Sequence, residues 1–202
     1  MGNKITVAKP KISTYAVTGN SLKEIWADIQ KKGPKDPNDN KKVAALTKTT
    51  LIVADRWDPE VRSGSCLEDG TIETYVGAKN IAMKIEATIK MPKLGKHALS
   101  PKAKKEWDRF IKKLDAHERE HVDVTEKLAK DMGTEILKLE GFGSAQDEKK
   151  SFEAGKADFI KKYLKDYSGQ KISKRITEAA KKFDKSTKHG AKHGAVLNTD
   201  IV

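Results

Sequence analysis

From Ile81 to Met91, apolar residues occupy every second position: Ile81, Met83, Ile85, Ala87, Ile89 and Met91, with mostly polar residues between them. Successive side chains of a strand point to opposite faces, so this stretch must bury one face and leave the other in water. A strand with one apolar face needs a second layer laid against it, and the remainder of the 202 residues must supply that layer. Three more stretches read as strands: "KISTYAVTG" (11–19), "VAALTKTTLIVADRW" (43–57) and "TIETYVGAK" (71–79). Short connections between them favour an antiparallel sheet. "DPEVRSGSCLEDG" (58–70) is rich in turn residues and reads as a loop or hairpin connection.

The covering layer is helical. Leu22, Ile25, Trp26 and Ile29 recur at helical spacing, Ser21 and Glu24 make a capping box, and Gly33-Pro34 stops the helix. After the polar loop "KDPNDNKK", the longest helical pattern begins at Ser100, an N-cap followed by Pro101 at the first helical position. Trp107, Phe110, Ile111, Leu114, Val124 and Leu128 carry its apolar stripe to Met132, with Gly133 a point of interruption and "GFGS" (141–144) an end. Further helices are expected over about 145–167 and 172–183. Strands followed by helices predict an α+β fold, a single domain over 1–202. Residues 1–97 are mainly strands with one helix, and 98–202 are mainly helical. The expected architecture is a small, mostly antiparallel sheet packed on the long helix.

Charge narrows the partners. The net charge is +12, carried by lysine far more than arginine. Nucleic-acid grooves usually mix arginine and aromatic residues into their basic stretches, so nucleic acid is disfavoured as the main partner. Cys66 is the only cysteine, which rules out an intrachain disulfide and reads as a half-buried thiol near a turn. No apolar run approaches membrane-spanning length. "MGNKITVAKP" lacks the apolar core of a signal peptide, and its formal match to an N-myristoylation pattern reads as an added Met-Gly start.

The chemistry-bearing stretch is "AHEREHVDV" (116–124) on the long helix. His117 and His121 stand one turn apart on one helical face, where two imidazoles can converge on one metal ion. Glu118 projects beside them, where it can take a proton from water. Zinc held by three protein ligands keeps a fourth position for water and lowers that water's pKa to about 7. Both histidines continue the stripe of Leu114, Val124 and Leu128, so they face inward and need partners or a metal. The bland alternative is a pair of hydrogen-bonded core histidines. No glycine and histidine follow at the spacing of the extended metzincin motif. Two third ligands stay open on the residues alone: Glu153 on the following helix, which is otherwise a solvated glutamate among lysines, and His189, followed by a glycine in a basic tail.

The chain resembles the bacterial family of predicted secreted zinc-dependent proteases, catalogued as a domain of unknown function. The likeness rests on "YAVTG" with "SLKEI", on Gly33-Pro34, on "EWDRFIKKLDAHEREH" and on the closing "FDKSTKHGAKHGA". Phe183 stands where that family would have tyrosine. The resemblance implies a zincin-like fold, zinc ligands at His117, His121 and His189, and Glu118 as catalytic base. Asp184 and His193 are the fallback ligands, Asp184 alternatively orienting a ligand histidine. It also implies peptide or protein substrates and a secreted or periplasmic location, with a cytoplasmic one left open by the missing signal peptide.

The leading expectation is therefore a zinc metallopeptidase, in which water activated by Glu118 attacks the peptide carbonyl. A non-catalytic metal-binding or interaction module is the alternative, and a basic nucleic-acid binder using the lysines from Lys149 to Lys188 ranks third. His193 is a candidate donor to the oxyanion. The strand ending at Met91 is a candidate edge for holding substrate, although an ordinary sheet strand is the commoner reading.

Overall fold

The computed structural model describes residues 2–38, 40–54, 57–96 and 99–202. In chain order the elements are β1 (Gly2–Val7), β2 (Lys11–Val17), α1 (Leu22–Lys32), β3 (Leu46–Val53), β4 (Pro59–Cys66), β5 (Ile72–Ala78), β6 (Asn80–Leu94), α2 (Pro101–Leu137), β7 (Gly141–Ala145), α3 (Glu148–Tyr167) and α4 (Gly169–Thr187), with a 3-10 turn at Ala191–His193. The class is α+β, with sheet packed against long helices. No described helix is long and apolar enough to cross a membrane.

β6 is the strand of the alternating pattern, and Ile81, Met83, Ile85, Ala87, Ile89 and Met91 are all buried. It is not an edge: β1, β2 and β3 all pair with it. That corrects the expectation of a free edge for substrate there. β1 and β2 run parallel to β6, at residues 80–85 and 88–94 respectively. The antiparallel expectation holds for the second sheet, β4–β5–β7. Chain order misleads about β1 and β2 because both are brought to β6 from far away in sequence, so loop length says nothing about their direction.

The chain divides into two compact units. One comprises Met1–Val7, Leu51–Ile85 and Glu126–Ile176. Here the antiparallel sheet packs on α3, which Asp147 caps by accepting from the Lys150 amide at 2.9 Å. Gly141 and Gly143 let α3 lie directly on β7. A Cβ on Gly141 would overlap the backbone of Gly155 and Phe159, and one on Gly143 the backbone of Ser151 and Gly155. Thus "GFGS" is a strand whose missing side chains admit a helix, where a helix terminator was expected. Of the loop or hairpin connection expected over 58–70, the hairpin is what forms: β4 runs antiparallel to β5, and the turn at Leu67–Thr71 joins them. The side chains of β4 are largely exposed and a bulge falls between Val61 and Ser63, so it carries no apolar alternation to read. Cys66, at its end, is exposed where a half-buried thiol was expected. α2 continues through Gly133, where an interruption was expected, and the Asn3 side chain occupies the space a Cβ there would need.

The other unit comprises Ala8–Thr50, Glu86–Thr125 and Thr177–Val202. Its core gathers Val17 of β2, Leu22, Ile25 and Ile29 of α1, Ile89 and Met91 of β6, and Trp107, Phe110 and Leu114 of α2. α1 is capped by Ser21, whose hydroxyl accepts from Glu24 N–H, while the Glu24 carboxylate accepts from Asn20 N–H instead of Ser21. Ser100 caps α2 by accepting from Ala103 N–H at 3.1 Å. β3 starts at Leu46, later than expected, because Val43 donates instead to Pro34 O. Asp55 and Arg56, at the end of the expected strand, lie outside the described residues, as does Met1 of the amino-terminal pattern. One clamp secures the last residues. Arg109 donates to Gly194 O (2.8 Å) and Val196 O (2.6 Å), and its fork partner Glu106 accepts from Asn198 N–H at 2.8 Å.

Candidate metal centre

All the groups that matter lie in this second unit. The stripe that buries Trp107, Phe110 and Leu114 continues one turn later with His117 and His121, which are 3% and 8% exposed. Asp184, near the end of α4, brings one carboxylate oxygen to both. Its Oδ1 stands 3.3 Å from His117 Nε2 and 3.1 Å from His121 Nε2. Donors bound to a tetrahedral zinc at about 2.0–2.1 Å stand roughly 3.3 Å apart. The carboxylate oxygen stands at this spacing from each imidazole nitrogen, and the three ligand atoms lie within 4.8 Å of one another, so the set could hold such an ion.

Phe183, in the position where tyrosine was expected, packs both imidazoles. Its ring stacks on His117 (5.1 Å between centroids, 16° between planes) and meets His121 edge-on (4.8 Å, 83°). Two neighbouring residues of α4 therefore do two jobs: Asp184 supplies the oxygen and Phe183 restrains the rings. Gly190 completes the wall. Its φ of +80° is left-handed, and a Cβ there would come within 3.0 Å of His117 Cγ. The glycine of the His-Gly pair is thus needed for backbone conformation and for closeness to His117.

Glu118 is buried beside the histidines, and Thr47 of β3 holds it. The Thr47 hydroxyl lies 2.7 Å from Glu118 Oε2 and 3.0 Å from Glu118 O. Burial raises the Glu118 pKa, against the Thr47 hydrogen bond and the charges of His121 and His117. Burial alone would lower the pKa of His121, but the hydrogen bond and charge of Asp184 outweigh it and the net shift is upward. Asp184 is the converse: burial would raise it, yet its contacts with His117 and His121 hold it well below the usual carboxylate range. Thr125 fixes the helix under this cluster, its hydroxyl donating to His121 O at 3.0 Å.

The remaining predicted residues separate. His189 Nδ1 is 3.9 Å from Asp184 Oδ1, and His189 groups with Asp184 and Asp36, not with the pair His117 and His121. His193 Nδ1 stands 3.2 Å from Glu120 Oε2 but is not aligned for a hydrogen bond, and His117 Nδ1 is likewise buried without a partner. His117, Glu120 and His193 form a third metal-capable group. Glu153 is 56% exposed, pairs with Lys156 at 3.5 Å, and joins none of these groups. Thr47 and Asp36 carry no signal in the sequence that marks them for this site. Asp184 does, by standing within the closing "FDKSTKHG" segment.

Residues 12–190 match the family described as "Bacterial protein of unknown function (DUF922)", and the chain belongs to that family. No curated protein and no solved structure matches the chain.

Proposed function

We propose that this member of a family of unknown function is a zinc-dependent metallopeptidase acting on peptide or protein substrates. The observation that carries the reading is the convergence of His117 Nε2, His121 Nε2 and Asp184 Oδ1, with a buried carboxylate, Glu118, held beside them. His117, His121 and Asp184 would hold the ion; the spacing favours Asp184 over His189 as third ligand. A bound zinc supplies Lewis acidity, polarising a peptide carbonyl and acidifying water. Glu118 takes a proton from the attacking water and passes it to the departing amine nitrogen. Burial raises its pKa above the ordinary carboxylate value, which makes it a stronger base toward water. Thr47 holds the carboxylate in place through Oε2. The family resemblance adds a place of work outside the cytoplasm.

The test is elemental analysis of protein purified without a metal-affinity tag, paired with hydrolysis of casein. One zinc per chain is expected, and Glu118→Gln should keep it while hydrolysis disappears. No zinc after reconstitution would sink the reading, and hydrolysis surviving in Glu118→Gln would remove Glu118 as the base.

One other reading has an observation behind it. Phe183 and Asp184 tie the end of α4 to α2, which is also what a purely structural ion would do. It predicts one zinc per chain, a large fall in thermal stability on chelation and no hydrolysis by the wild-type protein. A nucleic-acid role predicts steeply salt-dependent binding to DNA or RNA, and no retention on a nucleic-acid column at low salt would exclude it.

A further inference from the structure

Resting on the peptidase reading, we propose that His189 stands outside the metal's donor set and is a catalytic residue, donating a hydrogen bond to the oxygen of the scissile carbonyl. Of the four histidines of the centre it is the most exposed, at 59%, while His117 and His121 are buried and His193 is turned to Glu120. Its Nδ1 is 3.9 Å from Asp184 Oδ1, beyond the 3.1–3.3 Å at which the other two imidazoles meet that oxygen. It therefore stands exposed beside the carboxylate that faces both buried imidazoles, outside the distance at which they meet it.

The backbone fixes this placement. His189 N–H donates to Asp184 O at 2.8 Å, so the residue is tied to the turn that carries the carboxylate. Lys188, His189 and Gly190 have φ of 52°, 50° and 80°, a left-handed run that ends α4 and carries the chain across the face of His117.

In the reaction the water oxygen bonds to the carbonyl carbon as Glu118 accepts one water proton. The carbonyl oxygen gains negative charge, which a fixed donor stabilises in addition to the metal. The carbon–nitrogen bond then breaks, Glu118 returns its proton to the amine nitrogen, and a carboxylic acid and an amine leave. His189 gives a hydrogen bond throughout and transfers no proton.

His189→Ala and His189→Phe should retain one zinc per chain and an unchanged visible spectrum after cobalt substitution. Their kcat on casein peptides should fall about 10²-fold with KM nearly unchanged. His189→Gln, which keeps a donor, should recover part of the loss. Inorganic phosphate, a tetrahedral oxyanion, should bind the zinc-loaded His189→Ala protein at least ~10-fold more weakly than wild type. Loss of zinc or an altered cobalt spectrum would make His189 a ligand and overturn the proposal. So would a wild-type protein that binds phosphate no better than His189→Ala. If the wild type hydrolyses nothing, the peptidase reading fails, and the phosphate comparison still decides the role of His189.

Discussion

Two buried polar clusters sit on helices of this protein, and they are built on opposite principles. In the first unit the Ser151 hydroxyl, fully buried on α3, lies 2.8 Å from Thr74 Oγ1 and 3.1 Å from Gly143 O. Hydroxyls both give and accept, so this cluster closes on itself and has nothing left to bind. In the second unit one carboxylate oxygen faces two buried imidazole nitrogens, and a second buried carboxylate lies beside them. Protons can partly satisfy that arrangement; a divalent ion satisfies it better. Burial of polar groups is therefore not by itself a mark of function. What distinguishes the two clusters is whether their donors and acceptors already match.

The contrast can be broken by experiment, starting from its strongest consequence. Asp184→Ala should weaken zinc binding by at least ~10²-fold, more than loss of an outer partner of a ligand would. Competition against a chelator reads the affinity directly, and unchanged affinity would dissolve the distinction between the clusters. Gly143→Ala tests the closed cluster where it is tightest. A methyl group there meets Ser151 backbone, and urea denaturation should show a loss of about 2–3 kcal/mol. Ser151→Ala is milder: it removes one hydroxyl from a matched pair, for about 1–2 kcal/mol, and should leave zinc affinity untouched. A fall in zinc affinity in that variant would mean the first cluster is not merely architectural.

The smallest effect concerns Glu135, whose carboxyl is held below its ordinary value by the Arg175 hydrogen bonds, with Tyr167 adding a further one. A depressed folded-state value stabilises the fold above the ordinary carboxylate pKa of about 4.3, and the gain is lost as pH falls through the folded value. Because this side chain is 45% exposed, solvent screens most of the gain. Glu135→Gln should slightly flatten the decline in stability between neutral pH and about pH 3.5, measured by urea denaturation. An identical decline in both proteins would remove Glu135 from the account.

Legibility in the sequence followed the range of the interaction. The inward placement of His117 and His121 could be read because both lie on one helix whose period is known, and the burial of β6 because alternation survives along a strand. Thr47 could not be read, since only folding brings β3 to Glu118. Phe183 was visible as a departure from the expected tyrosine, yet its place between two imidazole rings depends on where α4 ends. β7 was misjudged for a different reason. Glycine means both "stop" and "come close", and only the presence of α3 against Gly141 and Gly143 tells which.

The dependence on Asp184 also has a bearing on time. A growing chain can complete α2, with His117 and His121 in place, well before residue 184 has been made. Until then the two histidines lack the carboxylate oxygen that their buried nitrogens face, and the segment that Arg109 and Glu106 anchor has yet to appear. A chain shortened to residue 180 should therefore carry the whole HEREH stretch and hold zinc far more weakly than the full chain, which a chelator titration of both would show. Under the peptidase reading, the segment that arms the site is made after the helix that carries both histidines, so a copy interrupted before residue 184 is harmless to the machinery producing it.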